Sequence, residues 1–511
     1  MTAAVLSLPL SRLVCYYLVA RAVVWAAVLH LTQPSKPLDV LEHLAWAREW
    51  QLVYEHHPGA VSWIVGMLDS IGGGDSFLLS IPAPVAVSLA MFAVWQLARR
   101  TTDEKRALVA VLSLEGVWYF GIVAAEFNHN ILQLAAWAFV ILAAHRAFLP
   151  GKKHHHTAPT SDWLMLGVAA AFSLYAKYSS ALLLVVLLSW SITDPFARRC
   201  YRQSGIYLAM GFFALLTAPQ VIALASLDFS PFRFAVSRAG EASSAVHHIV
   251  YPARFLLAQC GALLPALVLC RLATEKTINQ KNTATTKASF RFVMIMALSP
   301  LLLAVCISAL GGWRFRSHWG APMLSIIPLA FLIFTNIWHE YGINLRRFIK
   351  SAAAVATMSV IIVIAINTAA PFVKERGKRI HYPGAQIGKA VDALWQAQNA
   401  DDAKPLKAVI GSLHLASLVS FYAPSRPRAI INGNWNLSYG ATKNQFRQTG
   451  GAIIWTINDG KTKDAKMPDY AKTYLTEHQN ANPAAATLTM NWQTPAKIPP
   501  LIIGVIIIPP T

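Results

Sequence analysis

The chain has 511 residues, of which 55% are hydrophobic and only 13% are charged. Soluble proteins rarely have this composition, which is typical of integral membrane proteins. The formal net charge of +20 could indicate nucleic-acid binding, but most of the charge lies in short loops between apolar segments. We therefore expect a membrane protein that contacts membrane lipids and has no nucleic-acid partner.

Apolar segments long enough to cross a hydrocarbon core of about 30 Å recur over the first 370 residues. They lie near residues 13–32, 81–98, 107–125, 131–149, 163–192, 205–227, 253–272, 290–310, 319–338 and 351–370. The first follows Arg12 and has no convincing signal-peptidase site after it, so we expect it to be retained as a span. The sequence predicts a multi-span α-helical membrane protein.

Loops with many basic residues, here called dense loops, alternate along the chain with loops that have few, here called sparse loops. The sparse loops carry Lys36, Arg48, Arg233, Arg238, Arg314 and Arg316. The positive-inside rule places the dense loops in the cytoplasm and the sparse loops outside. Segment 163–192 has dense loops at both ends, so it must return to its own side as two short helices or a hairpin with its tip at residues 176–179. This predicts about 11 transmembrane helices, a cytoplasmic N-terminus and an extracytoplasmic C-terminal region.

The last 140 or so residues contain no apolar segment long enough to span a membrane. Short apolar runs alternate there with polar helical stretches, a pattern that predicts a small α/β domain. The apolar run at 501–508 is too short for a span and predicts a buried strand. We expect two domains: a transmembrane domain at 1–370, and a soluble extracytoplasmic domain at 371–511.

The first external loop carries two acids at helical spacing. Asp39 and Glu42 are three residues apart and therefore share a helix face. Asp39 could simply cap or stabilise the start of an interfacial helix, or it could act as a general base or position an acceptor. His56 and His57 follow before Pro58, either as ordinary polar loop residues or as imidazoles aimed at a phosphate.

Two further polar segments interrupt apolar helices. Glu126 to Asn130, which includes His129, joins two spans through a tight turn, and its side chains need partners there. They could form a purely structural network. Lys177 lies in the middle of an apolar segment, where a lysine costs about 2.5 to 3.5 kcal/mol unless it reaches the interface or pairs with an anion. We therefore expect Lys177 to have a function.

Residues 313–322 place Arg314, Arg316 and His318 on the external side, against the trend of the other loops. Arginine matches phosphate oxygens in a bidentate way, although arginines in a loop are often only solvated. Metal ligands are not expected: the triplet His154 to His156 follows two lysines in a cytoplasmic loop and is typical of a solvated turn.

Taken in order, these segments resemble one known group of enzymes. The segments are Asp39 to Pro58, Glu126 to Asn130, Ala176 to Ser179, Pro219 with Asp228 to Pro231, and His318 to Pro322. They are similar to the bacterial protein mannosyltransferase and aminoarabinose transferase group, GT-C fold glycosyltransferases that use polyprenyl-phosphate sugars (glycosyltransferase families 39 and 83). The resemblance covers most of residues 10–340, and the C-terminal region matches only in position and general type.

The resemblance implies a role for each of these residues. Asp39 and Glu126 are the implied catalytic residues, with Asp39 activating the acceptor for an inverting attack. The implied substrate-binding residues are Glu42, His56, His57, His129, Lys177, Arg314, Arg316 and His318. The donor would be a polyprenyl monophosphate sugar, and transfer would need no metal or other cofactor.

The acceptor is open at this point. The region from Pro371 holds 16 Lys and Arg against 8 Asp and Glu, which favours an acidic acceptor such as lipid A or the lipopolysaccharide core. The same charge could serve solubility alone. A protein acceptor is an alternative, and so is a transporter or flippase, although the sequence shows no repeats in matching halves. A non-catalytic scaffold would need neither Asp39 nor Lys177.

Overall fold

The structure is a computed structural model that describes residues 9–74, 76–150, 157–240, 242–276, 285–338, 341–374, 376–399, 404–438, 440–463, 465–477 and 483–510. The histidine triplet at 154–156 lies outside these ranges. The described residues are mostly helical.

The helices of the N-terminal two thirds are numbered in chain order. They are α1 Leu10–Thr32, α2 Leu38–Ala47, α3 Ala60–Gly72, α4 Pro82–Thr101, α5 Glu104–Leu112, α6 His129–Phe148, α7 Thr160–Ala176, α8 Ala181–Thr193, α9 Pro195–Arg198, α10 Ser204–Ser226, α11 Ser230–Ala239, α12 His247–Ala273, α13 Lys287–Gly311, α14 Ile327–Trp338 and α15 Leu345–Thr368. A short antiparallel pair, β1 Thr274–Lys276 and β2 Tyr341–Ile343, joins two of the loops.

The helices are long and apolar enough to make this an integral membrane protein. Among the described residues, 7 helices could each cross a membrane, or up to 10 if three bent pairs are counted as one span each. The sequence predicts about 11. The difference arises because helix α7 has only 17 residues and because several apolar segments are sharply bent, for example by 81° between 104–116 and 118–125.

The apolar segment at 163–192 is divided at the predicted place. Helix α7 ends at Ala176, Lys177 has extended backbone angles (φ −169°, ψ 134°), and a 3₁₀ turn at Tyr178–Ser180 leads into α8. The two side-chain amide hydrogens of Gln133 on α6 bind this turn, with its nitrogen 3.0 Å from both Ser179 Oγ and Ser180 Oγ. The predicted division into two short helices at 176–179 is confirmed, and the return of the segment to its own side of the membrane stays a prediction.

The chain forms two compact units. The first contains the chain up to Ala26, Leu52–Val61 and Ala83–Ile361, and the second contains Ala27–Gln51, Ser62–Pro82 and the chain from Ile362. The second unit thus takes in helix α2 and most of α3 together with the C-terminal region. The predicted boundary at 370/371 stays a prediction.

The C-terminal part of the second unit is a small α/β fold, as the sequence predicts. Its elements are α16 Ala370–Lys374, α17 Gly384–Gln398, β3 Ala408–Gly411, α18 Leu413–Tyr422, β4 Arg428–Ile431, α19 Lys443–Thr449, β5 Gly451–Asn458, α20 Asp469–Glu477, β6 Ala484–Met490 and β7 Leu501–Ile508. The sheet order is β4-β3-β5-β7-β6. Strand β3 runs parallel to β4 and β5, while β7 is antiparallel to β5 and β6.

The run at 501–508 forms a buried strand, as the sequence predicts, and lies between β5 and β6. Ile506 and Ile508 of β7 pack with Ile453 of β5 and Phe446 of α19 in the hydrophobic core, and all four are at most 1% exposed. Burying side chains of this size stabilises a fold by roughly 1.5 to 3 kcal/mol each. The sheet is therefore a folded domain rather than a membrane-inserted segment.

Candidate functional site

Lys177 lies at the tip between α7 and α8, where the helical hydrogen-bond pattern is broken. Its ammonium group donates to Asn130 Oδ1 at 2.5 Å and lies 5.7 Å from the ring centre of Trp319. A lysine at a break between apolar helices, bound to an amide oxygen and close to an indole ring, is a candidate to bind an anionic ligand. The sequence does not identify a hydrogen-bond partner for Lys177. The structure shows that Asn130 is such a partner within the protein.

The segment 126–130 forms the start of helix α6 because Asn128 caps it. The side chain of Asn128 accepts hydrogen bonds from the backbone of Asn130 at 3.0 Å and Ile131 at 3.3 Å. His129 is therefore the first residue of the helix and is only 3% exposed. Glu126 precedes the cap in extended conformation and is half-buried. The polar residues of this segment are arranged by a helix cap and not by a simple loop.

His57 is brought against His129 by a tight turn. Tyr54 N donates to His57 O at 2.8 Å, Gly59 N donates to Leu52 O at 3.0 Å, and the two imidazole rings lie 4.1 Å apart. The Nε2 atom of His129 lies 3.2 Å from Pro58 O. The turn and helix α6 thus present two imidazoles side by side.

Helix α11 supplies residues that the sequence did not single out. The ring of Phe234 stacks on His56 at 3.8 Å, and the guanidinium of Arg238 lies 5.4 Å from the ring centre of Phe234. The helix follows two non-glycine residues with positive φ, Asp228 (φ 47°) and Phe229 (φ 53°). Such strain costs on the order of 1 to 3 kcal/mol per residue and is often found near functional sites. The available signal was that Arg238 is one of the few basic residues in the sparse loops.

The segment 313–322 contributes the remaining residues of the first unit. A 3₁₀ helix at Ser317–Leu324 carries His318, which is half-buried, and Trp319. Arg316 precedes this helix and is exposed, and it lies within electrostatic range of His318 together with Lys177 and Arg238. Arg314 is also exposed and lies two residues earlier on the same segment. The structure therefore brings most of the predicted cationic residues together.

The imidazoles of the 54–59 turn are neutral at pH 7. Loss of hydration lowers the pKa of His57 well below its usual 6.5, and the electrostatic effect of the basic side chains of His129, Lys177, His56 and Arg238 lowers it further. Loss of hydration and Arg238 lower the pKa of His56 to about 4. A neutral imidazole donates one hydrogen bond without carrying charge. The positive charge of the group therefore comes from its lysine and arginines.

This protonation state predicts a pH profile. Because the histidine pKa is depressed in the folded protein, the imidazole stays neutral there below pH 6.5, whereas the unfolded chain takes up a proton; folding stability is therefore lost only as the pH falls below about 6.5. We expect the kcat/KM profile of His57→Gln, which keeps an N–H donor, to run parallel to the wild-type profile from about pH 6 to 8. A step near pH 6.5 in the wild type that the variant lacks would contradict a neutral His57.

The predicted acids of the first external loop lie in the second unit, on helix α2. Asp39 is in its first turn, after Pro37, and the buried face of the helix carries Val40, Leu41, His43, Leu44, Trp46 and Ala47. Asp39 and Glu42 are both half-buried on the remaining face. They share one helix face, as their spacing predicts.

A lysine, arginines, neutral imidazoles and an amide at the broken ends of apolar helices can bind a phosphate that enters from a membrane. The long and bent spans, followed by a small α/β fold, define the class of the protein as a multi-span helical membrane protein. The comparisons with known proteins agree with this class.

The chain is similar to proteins of this class along most of its length. Residues 56–222 match the family of dolichyl-phosphate-mannose-protein mannosyltransferases. Over 346 residues the chain is 24% identical to the lipopolysaccharide core galacturonosyltransferase RgtB of Rhizobium johnstonii, an alignment that covers 66% of this chain and 68% of that protein. ArnT from Cupriavidus metallidurans has the same fold at 12% identity, with TM-scores of 0.56 for the crystal structure bound to undecaprenyl phosphate and 0.58 for the apo state; each covers 96% of this chain and 97% or 98% of its own.

The predicted resemblance is confirmed. The chain has the GT-C fold and is similar to membrane glycosyltransferases of the group that uses polyprenyl-phosphate sugars. The roles of the individual site residues stay predictions.

Proposed function

We propose that the protein transfers a sugar from a polyprenyl monophosphate donor to an envelope glycolipid, with inversion at the anomeric carbon. The observation that carries this proposal is Lys177 at the break between two apolar helices, where it is bound to Asn130 and acts on His318 together with Arg238 and Arg316. A lipid-linked phosphate is a ligand that can reach a cationic group set between membrane helices. The fold shared with ArnT bound to undecaprenyl phosphate supports the same donor class.

In the proposed reaction the acceptor oxygen attacks the anomeric carbon while the bond from that carbon to the phosphate oxygen breaks. The phosphate gains negative charge in this step, so fixed cations and N–H donors lower the barrier. Lys177, Arg238 and Arg316 would supply the positive charge, with Arg314 on the same segment, and His57, His129 and His318 would supply hydrogen bonds. His56 holds Phe234 by stacking. The lipid carrier leaves as a polyprenyl phosphate, which retains the oxygen of the broken bond.

The acids serve the acceptor in this proposal. Asp39 would take the proton of the attacking group, Glu42 would help to position the acceptor, and Glu126 would hold the acceptor or the sugar. A carboxylate is a suitable base for a hydroxyl that loses its proton as the new bond forms. The new bond joins the acceptor oxygen to the anomeric carbon, and the proton passes to the carboxylate.

We propose an acidic glycolipid, lipid A or the lipopolysaccharide core, as the acceptor. The relative RgtB is a lipopolysaccharide core galacturonosyltransferase, and the C-terminal region from Pro371 carries a net charge of +8 from 16 basic and 8 acidic residues. A positively charged domain attracts acidic acceptors. Such an acceptor implies a bacterial inner membrane, with a cytoplasmic N-terminus and a periplasmic C-terminal domain.

Mass spectrometry of envelope lipids from cells with and without the protein tests this function. We expect one glycolipid to lose the mass of one sugar when the protein is absent. The purified protein is expected to perform the same transfer in the presence of a chelator, because the proposed mechanism assigns no step to a metal. An unchanged glycolipid profile with altered lipid sidedness would favour a flippase, and a sugar lost from a protein would favour the protein acceptor that the matched family name suggests.

A further inference from the structure

Helix α2, which carries Asp39 and Glu42, packs on the C-terminal α/β fold within the second unit. Its contact there is helix α18, which lies between the two parallel strands β3 and β4 in the chain. The apolar side of α2 includes Leu41 and Trp46, which are 0% and 4% exposed. A helix of 10 residues is too short to be stable in water by itself. Helix α2 therefore depends on this packing for its structure.

The C-terminal end of α2 is fixed by charged groups of the α/β fold. Arg428 on β4 contacts Glu49 Oε1 at 2.5 Å. Arg48 donates to the backbone oxygen of Ser420 at 3.0 Å and to that of Arg426. Arg426 in turn lies 3.3 Å from Asp69 of helix α3.

The residues that precede α2 are hydrogen-bonded to the C-terminal part of the second unit. The backbone N–H of Lys36 donates to Tyr422 Oη at 3.1 Å, and that of Ser35 donates to Ile380 O at 2.9 Å. The Lys36 ammonium is 2.8 Å from Ser80 Oγ, and the residue is 2% exposed. Contacts from residues more than 340 positions away in the chain thus fix both ends of a short helix.

Helix α3 packs against α2 on another side. A Cβ atom at Gly66 would lie 2.6 Å from Ala47 Cβ, so the two helices meet where Gly66 has no side chain. The side chain of His43 is also fixed, since its Nδ1 lies 2.9 Å from Ser62 Oγ. The orientation of α2 is therefore determined about its own axis as well as at its ends.

We propose that the C-terminal α/β domain is a positioning device for the acceptor-side acids: it holds helix α2 through Arg428, Glu49 and Arg48 so that Asp39 has one fixed orientation. This inference rests on the proposed function of Asp39. A displacement of about 1 Å in a reacting group can lower a rate on the order of 100-fold. Arg48, Glu49 and Arg428 are positioning residues in this proposal, because they act through helix α2 and not on the substrate.

The experiment is a charge swap in the full-length protein in lipid nanodiscs, with two readouts. Hydrogen exchange of residues 38–47 reports the order of helix α2, and transfer kinetics report function. In Glu49→Arg and in Arg428→Glu we expect exchange to become about fivefold faster or more, since two like charges then face each other. We expect kcat to fall by about tenfold or more with the KM for the donor unchanged. The double swap should restore both.

Lys472→Ala is the matched control. It removes an exposed ion pair between Lys472 and Asp469 on helix α20, in the same α/β fold, and is expected to change neither readout. Unchanged exchange of residues 38–47 in both single variants would overturn the proposal. Faster exchange with unchanged transfer would support the positioning of the helix and would instead overturn the role assigned to Asp39, so the two failures are distinguishable.

Discussion

Replacing Lys177 by alanine is expected to lower the rate of sugar transfer by about 10²- to 10³-fold, the loss typical of removing one donor to a developing oxyanion. The ammonium is held by Asn130 at 2.5 Å, so it is oriented before the phosphate leaves. The measurement is the initial rate of transfer by purified protein in nanodiscs, with a polyprenyl-phosphate sugar and extracted envelope glycolipid. Lys177→Arg keeps the charge and should retain part of the activity.

The alternative is that Lys177 only shapes the break between α7 and α8. Removing a lysine from an apolar hairpin also removes an insertion cost of about 2.5 to 3.5 kcal/mol, so Lys177→Ala should fold with an undiminished thermal unfolding midpoint. Lys472→Ala, at an exposed position, controls for loss of one positive charge. Wild-type rates in Lys177→Ala would rule out Lys177 as the residue that receives the phosphate.

Replacing Asp39 by asparagine is expected to lower kcat by about 10²- to 10⁴-fold, the range for loss of a general base. Asparagine has nearly the same shape, so the buried face of α2 keeps its packing and the KM for the donor should stay unchanged. Glu42→Gln should have a smaller effect, because Glu42 is assigned to positioning. The same nanodiscs and substrates serve for the measurement.

The size of the decrease in kcat distinguishes a catalytic role of Asp39 from a structural one. An acid in the first turn of a helix stabilises it by about 0.3 to 1 kcal/mol, so loss of that interaction alone would change the rate by no more than about fivefold. A decrease of this small size in Asp39→Asn, together with a lowered unfolding midpoint, would assign Asp39 to the helix start. A decrease of two orders of magnitude in kcat with unchanged stability would assign Asp39 to the chemical step.

Much of the architecture is determined by local sequence properties. Composition identifies the membrane class, and the charge of the loops predicts that segment 163–192 is divided into two short helices, as the break at Lys177 shows. In the C-terminal region, the α/β pattern and the strand at 501–508 follow from short apolar runs and their length. These properties are local because hydrophobicity and helix breaking act over a few residues.

Other features depend on contacts between distant segments. Arg238, Phe234 and Trp319 join the predicted histidines and Lys177 only because helix α11 and the 3₁₀ helix at 317–324 pack beside them. The bends that divide several apolar segments are similarly absent from any hydrophobic pattern.

The sequence by itself determined that this is a multi-span membrane protein with an α/β domain and charged residues at its helix breaks. Only the tertiary structure decided that Asn130 and Trp319 contact Lys177 and that the helix of Asp39 packs on elements beyond residue 400. The physical reason is that a residue's type and spacing fix its local conformation, whereas its neighbours across the chain are selected by the packing of whole elements.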